Sequence, residues 1–207
     1  MLNIGDILRE PFTKFIDTKV EPGTLLIACG LPGTWKTETT EEVSKIKGFP
    51  ILRTDLIRLE VLKDIDVFDE KLASNYEIRK KVYKEMFKRA EKNIQKSDGV
   101  ILDATFVTQE LRRKAASIAA EQNKIFVILQ TNCSKDASIN RITRRTKENY
   151  ESNALTEQAY INNLKKFEKV DLDDLKRLYP NLKILHLTVD TELDDPKDWY
   201  IIGMEKR

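Results

Sequence analysis

Histidine is almost missing from this chain: there is one, His186, in 207 residues. A His-rich metal site, a Cys-His nucleophile or a Ser-His-Asp triad would have to use that single residue. Cysteine is nearly as scarce. Cys29 and Cys133 lie far apart and form no C-x-x-C pair, which excludes a disulfide framework and a zinc ribbon. The start, Met1-Leu2-Asn3-Ile4-Gly5-Asp6, lacks the basic stretch and apolar run of a signal peptide. Together these features lead to the expectation of a reducing, cytoplasmic setting. Long apolar runs are also absent. The longest are about strand length, far below the ~20 residues of a membrane span, so no membrane partner is expected. Nor does one charge dominate. The 36 Lys and Arg against 34 Asp and Glu leave a formal net charge of +2, which supplies no whole-protein field for a polyanion, although a local basic patch is compatible with it. With only 7 Gly and 6 Pro, the chain has no Gly/Ser linker, internal repeat or low-complexity tract.

What is present is alternation. Charged residues make up 34% of the chain, above the usual quarter or so, and the length suits one domain. Short β-branched apolar runs are separated by longer helical stretches. Strands are predicted at Thr24–Cys29, Pro50–Arg53, Gly99–Asp103, Lys124–Gln130 and Lys183–Val189. Runs apolar on both faces are what a helix-covered parallel sheet demands. Helices are predicted over Thr37–Ile46, Asp55–Lys63, Asn75–Gln95, Gln109–Gln122, Ser134–Arg145 and Thr156–Glu168. Such alternation implies right-handed β-α-β crossovers in a three-layer α/β domain, spanning residues 21–207. Residues 1–20 stand outside the scheme. There Ile4, Leu8, Phe12 and Phe15, broken at Pro11, make an amphipathic arm expected to pack on the domain.

The sharpest feature is Gly30-Leu31-Pro32-Gly33-Thr34-Trp35-Lys36-Thr37. It follows a strand and opens a helix, the context a phosphate-binding P-loop needs. Backbone N–H groups at a helix N-terminus form a nest for an anion, and the helix dipole adds to it. In that pattern Lys36 reaches the β- and γ-phosphates and the Thr37 hydroxyl ligates Mg²⁺. Trp35 breaks the pattern, because the motif places glycine immediately before the lysine. Two readings stay open. Either the indole swings outward onto a base, a lid or a substrate and the loop still binds ATP, or the loop is reshaped and nucleotide binding is weak or lost.

Other candidates flank the loop. Asp55, at the carboxyl end of the second strand, can accept the proton of an attacking hydroxyl, and Arg58, one helical turn on, can hold the acceptor or the transferred group. Asp103 ends the third strand and can hold Mg²⁺ through water or bond to Thr37, with Thr105 near it. Arg141 and Arg145 share a helix face, which suits a phosphate clamp. The polar stretch after them makes a helical lid over about 141–155 the expectation. His186 reads as a strand histidine rather than a catalyst, and Asp64, Asp66, Asp69 and Glu70 as a solvated acidic loop.

Taken together, these residues resemble the P-loop kinases of the zeta-toxin and polynucleotide-kinase-like group, also labelled AAA-type domains. The likeness runs from about Leu25 to Val189. It rests on the loop at Gly30–Thr37, T-D-x-x-R at Thr54–Arg58, the apolar-D-A-T at Leu102–Thr105, R-x-x-x-R at Arg141–Arg145, and Phe167-Glu168. The resemblance implies the P-loop NTPase fold, with a mostly parallel five-stranded sheet in the order 2-3-1-4-5. It implies transfer of phosphate from ATP, with Mg²⁺, to a hydroxyl. By the same resemblance Asp55 is the general base and Arg141 or Arg145 steadies the transferred group, with Lys36, Arg58, Arg141 and Arg145 converging on one phosphate site. The acceptor reading is a small hydroxyl-bearing molecule, since the balanced charge and the lack of an aromatic-basic stripe offer little to a phosphate backbone. The alternatives are a non-catalytic nucleotide-binding protein and a 5′-hydroxyl polynucleotide kinase.

Overall fold

The computed structural model describes residues 9–62, 76–144 and 156–207. The proposed lid after Arg144, including Arg145, the acidic loop at 64–70, and Ile4 and Leu8 of the arm lie outside the described residues.

Five parallel strands form the centre: β2 (Thr24–Cys29), β3 (Ile51–Arg53), β4 (Gly99–Asp103), β5 (Ile125–Asn132) and β6 (Ile184–Asp190). Their spatial order is β6-β5-β2-β4-β3, which in chain order of the five is 2-3-1-4-5 read from the other edge. The register is fixed by side chains that leave on alternate faces. Leu25, Ile27 and Cys29 of β2 enter one apolar cluster with Val100, Leu102, Phe126 and Ile128, while Leu26 enters the other with Ile101, Val127 and Leu129. A one-residue slip would exchange the two clusters, so burial on both faces pins the pairing.

The sheet has seven strands rather than five. β7 (Tyr200–Lys206) pairs antiparallel with β6, and the two-residue β1 (Glu10–Pro11) pairs antiparallel with β7. β1 has only two residues, and in β7 the apolar start Tyr200-Ile201-Ile202 gives way to Gly203 and a charged end. Most of β7 is partly or fully exposed, so its sequence has no buried-strand signature. Pro11 is tolerated because edge strands need not donate on both sides.

Helices cover both faces. α1 (Phe12–Lys19) and α2 (Lys36–Lys47) lie over the cluster that holds Trp199. Phe12 meets the Trp199 ring edge-on at 5.9 Å, and its N–H bonds Trp199 O at 2.9 Å. The other face is covered by α4 (Tyr76–Asn93), through Val82, Met86 and Ala90, and by α5 (Gln109–Glu121), through Ala115, Ala116 and Ala119. α3 (Thr54–Val61) follows β3, α6 (Lys135–Thr143) follows β5, and α7 (Glu157–Lys166) and α8 (Leu172–Leu178) precede β6. α8 was not expected from the sequence. Asp171 caps it by accepting from Asp174 N at 2.9 Å. Among the described residues no helix is long and apolar enough to cross a membrane.

Candidate functional site at the carboxyl edge of the sheet

β2 delivers the chain into the loop at Gly30, and α2 begins at Lys36. The loop must pass close to β5 and α6. A Cβ on Gly30 would stand 2.6 Å from Thr131 Oγ1, and one on Gly33 would run into the Ser138 carbonyl. Both glycines also have positive φ, so both are needed for the path. Thr34 Oγ1 donates to Leu31 O at 2.8 Å and lies 2.6 Å from Thr131 Oγ1, closing the loop on itself. Lys36 Nζ lies across it, 2.6 Å from Leu31 O. The residue before the helix, Trp35, gives it no side-chain cap.

Trp35 sits in the left-handed region, φ 56° and ψ 36°. That is the backbone conformation a glycine adopts at no steric cost, and a larger residue holds it only when its surroundings compensate. Here the indole is partly buried and packs against the cluster that holds Trp199. Its Nε1–H donates to Asp194 Oδ1 at 3.1 Å, and the Arg141 guanidinium stands 4.8 Å from the ring centroid.

Thr37 Oγ1 donates to Asp103 Oδ2 at 2.7 Å, joining α2 to the end of β4. Burial pushes the Asp103 carboxyl up from its ordinary value, the Thr37 hydrogen bond opposes this, and the neighbouring Asp55 adds to it. Asp55, in the first turn of α3, is gripped by Arg53. Arg53 Nη2 donates to Oδ2 at 2.9 Å and Nε to Oδ1 at 3.3 Å. The same guanidinium reaches Glu41 at 3.3 Å and stands 3.9 Å from Asp103. Sequence reasoning missed Arg53. The available signal was a charge ending an apolar strand, next to Thr54-Asp55. Arg58 Nε is buried and has no hydrogen-bond partner among the described residues, an unmet donor one turn beyond Asp55.

Arg141 spends its donors within the protein rather than holding them out as a clamp. Its side chain is 5% exposed. Nη2 donates to Thr191 O and Glu192 O at 2.9 and 2.8 Å, Nη1 to Gly33 O at 3.3 Å, and Nε to Asp194 Oδ1 at 3.0 Å. It fastens the loop to the segment after β6, as does Thr191 Oγ1, which donates to Thr34 O at 3.0 Å. The expected cationic cluster therefore loses Arg141, because a buried guanidinium ringed by carbonyls satisfies its donors there.

The remaining residues take structural places. Thr105 O accepts Gly30 N–H at 3.3 Å. Phe106, fully buried with φ 41°, holds the β4–α5 connection against Tyr83 and Phe87. Phe167 and Glu168 pack on the start of α5. The Phe167 ring stands 5.3 Å from the buried Arg112 guanidinium, and the Glu168 carboxylate accepts Gln109 N–H at 2.5 Å. His186 shares a hydrogen bond of 3.0 Å with Gln130 on β5, and burial pulls its pKa down. Cys29 and Cys133 are free thiols. Among the described residues, no group of three or more His, Cys, Asp or Glu side chains could hold a metal by itself. Mg²⁺ does not require such a group, since it binds through one or two protein oxygens and substrate phosphates. The Thr37–Asp103 pair beside the loop fits that donor set.

A strand–loop–helix phosphate nest at the head of a 2-3-1-4-5 parallel sheet defines a P-loop protein of the kinase type. The chain belongs to the AAA domain family, whose model matches residues 25–170. No curated protein matches it. Its fold is shared with a gluconokinase from Sinorhizobium meliloti 1021 (15% identity, TM-score 0.55, 84% of this chain and 85% of that one). It is shared as well with a sugar kinase from Janibacter sp. HTCC2649 (14%, 0.59, 84% and 88%). A chain of the Pnkp1/Rnl/Hen1 RNA repair complex is similar over a smaller part (16%, 0.54, 73% and 47%).

Proposed function

We propose that the protein is a phosphotransferase that moves the γ-phosphate of ATP to a hydroxyl of a small molecule. The observation that carries this reading is the Thr37–Asp103 hydrogen bond of 2.7 Å beside an uncapped, glycine-shaped loop. It joins a hydroxyl and a carboxylate where a phosphate-bound cation needs both. Family membership supports it, and so does the fold shared with a gluconokinase and a sugar kinase.

In this reading the loop amides and Lys36 hold the phosphate chain, with Lys36 exchanging Leu31 O for a phosphate oxygen. Thr37 and Asp103 hold Mg²⁺, which neutralises charge on the phosphates. Asp55 takes the proton of the attacking hydroxyl, and Arg53 keeps its carboxylate fixed toward the sheet edge. The unmet Arg58 Nε offers a donor to the acceptor or to the transferred group. Arg145 stays a candidate for the closing arginine, while Arg141 fastens the loop to the segment after β6. Phosphoryl transfer asks mainly for positioning and charge neutralisation, and Lys, Thr, Asp and Arg supply both without histidine or reactive cysteine. The free thiols suit a cytoplasmic protein.

The test is transfer from γ-labelled ATP with Mg²⁺ to a panel of sugars, sugar acids and polyols, with a 5′-hydroxyl oligonucleotide as a separate arm. Labelled product with a small hydroxyl compound is the expected result. Product with the oligonucleotide alone overturns the small-acceptor reading. ATP that binds but is never transferred or hydrolysed favours the non-catalytic alternative.

A further inference from the structure

The rim of the phosphate loop carries a platform that is already covered. Arg141 is held rigid by Thr191 O, Glu192 O, Gly33 O and Asp194, so its guanidinium is a fixed cationic plane beside the loop. The Trp35 ring lies over it at 4.8 Å, with its one N–H donated to the Asp194 carboxylate at 3.1 Å. A guanidinium plane and an acceptor at the ring edge make a seat with nucleobase chemistry, since bases stack on such planes and offer ring-edge N–H donors. The seat adjoins the loop, since Trp35 directly precedes Lys36 and Arg141 Nη1 donates to Gly33 O at 3.3 Å. Trp35 holds this place from a left-handed backbone, φ 56°. The residue is only partly buried and packs against the Trp199 cluster.

We propose that Trp35 is a specificity residue. Its indole fills the base seat on Arg141, so the loop takes a bare phosphate chain directly and takes a nucleotide only by displacing the ring. This rests on the phosphate-binding reading of the loop and adds what that reading does not contain: selection against the base. The ligand class so favoured is linear polyphosphate, with nucleotides paying the exchange of one stacked ring for another.

The test is calorimetry of Mg²⁺-tripolyphosphate and Mg²⁺-ATP against the full chain, Trp35→Gly and Trp35→Asn. Glycine and asparagine both suit the left-handed backbone, and both remove the ring while Arg141 and Asp194 stay in place. Wild type is expected to bind ATP no more than about threefold more tightly than tripolyphosphate. Both variants are expected to tighten ATP about tenfold or more while tripolyphosphate stays within about twofold, which is the signature of a freed stacking site. Acrylamide gives a second readout, because Trp199 is 0% exposed and shielded from the quencher. Quenching of Trp35 should rise on adding ATP and stay unchanged with tripolyphosphate. ATP weakened in the variants would make Trp35 a partner of the base, and equal changes in both ligands would confine it to shaping the loop. Either result overturns the proposal. Tripolyphosphate that fails to bind any form removes the phosphate-loop reading itself.

Discussion

Four helices start at the carboxyl edge of the parallel strands, and they are finished in two ways. At α5 and α6 the protein closes the N-terminus itself. Thr108 and Ser134 accept from Leu111 and Ala137 N–H at 3.4 and 3.1 Å, and the carboxylates of Glu168 and Glu192 accept the N–H groups of Gln109 and Ser134. At α2 and α3 no side chain caps the helix. The closed half meets its helix dipoles with capping hydroxyls and carboxylates from distant parts of the chain, whereas in the open half α3 meets its own with a first-turn carboxylate, Asp55, which accepts Leu56 N–H at 3.0 Å. The carboxylates diverge in the same way. Behind the closed half, hydrogen bonds from Arg113, then Gln109 and Arg177, hold Asp174 down to about 2. In the open half, burial pushes Asp103 up. One edge of one sheet thus holds a capped region and a region without side-chain caps, whose two carboxylates are held by Thr37 and Arg53.

The strongest way to break the comparison is at Asp55. Asp55→Asn should lower transfer by about 10²–10⁴-fold and leave ATP affinity unchanged, measured with the acceptor found in the panel. Undiminished turnover removes Asp55 as the base. Next, Lys36→Ala should weaken ATP by about 10- to 100-fold, the effect of a lost hydrogen bond to a charged group. Its urea midpoint should hardly move, and an unchanged calorimetric Kd would show that the open half does not take phosphate.

Acid titration separates the two carboxylates by sign. Asp174 binds its proton less tightly folded than unfolded, so its stabilisation is complete above its ordinary 3.8 and is lost as pH falls toward about 2. Asp174→Asn should therefore be less stable than wild type at neutral pH, with the gap closing in acid. Asp103 binds its proton more tightly when folded, so its contribution is lost as pH rises above 3.8. Asp103→Asn should gain on wild type as pH rises. Urea midpoints between pH 2.5 and 7 check both, and slopes of the same sign would dissolve the contrast. The smallest effect belongs to a cap. Thr108→Ala should cost about 1 kcal/mol of stability and leave ATP affinity untouched, whereas a loss of affinity would mean that the closed half also serves the ligand.

Much of this was legible in the residues. The five buried strands, their helices and the loop at Gly30–Thr37 each have a local signature: a double-faced apolar run, a helical period or a glycine-framed turn. α8 and β7 do not. α8 is seven residues long, and β7 ends in Glu205-Lys206, charged residues that pair because β6 offers an edge. The Glu168 carboxylate accepts the N–H of Gln109, 59 residues upstream, a contact that no local pattern signals.

Sequence by itself determined the α/β alternation and the position of the glycine-framed loop, because those follow from spacing and residue type. Tertiary structure alone decided where each arginine spends its donors. Spacing put Arg141 and Arg145 on one helix face but could not say that Arg141 turns inward to carbonyls 50 and 51 residues away. Nor could it say that Arg53 grips Asp55 or where the Trp35 indole comes to rest. A guanidinium goes where its donors are best satisfied, and only the assembled fold brings those acceptors together.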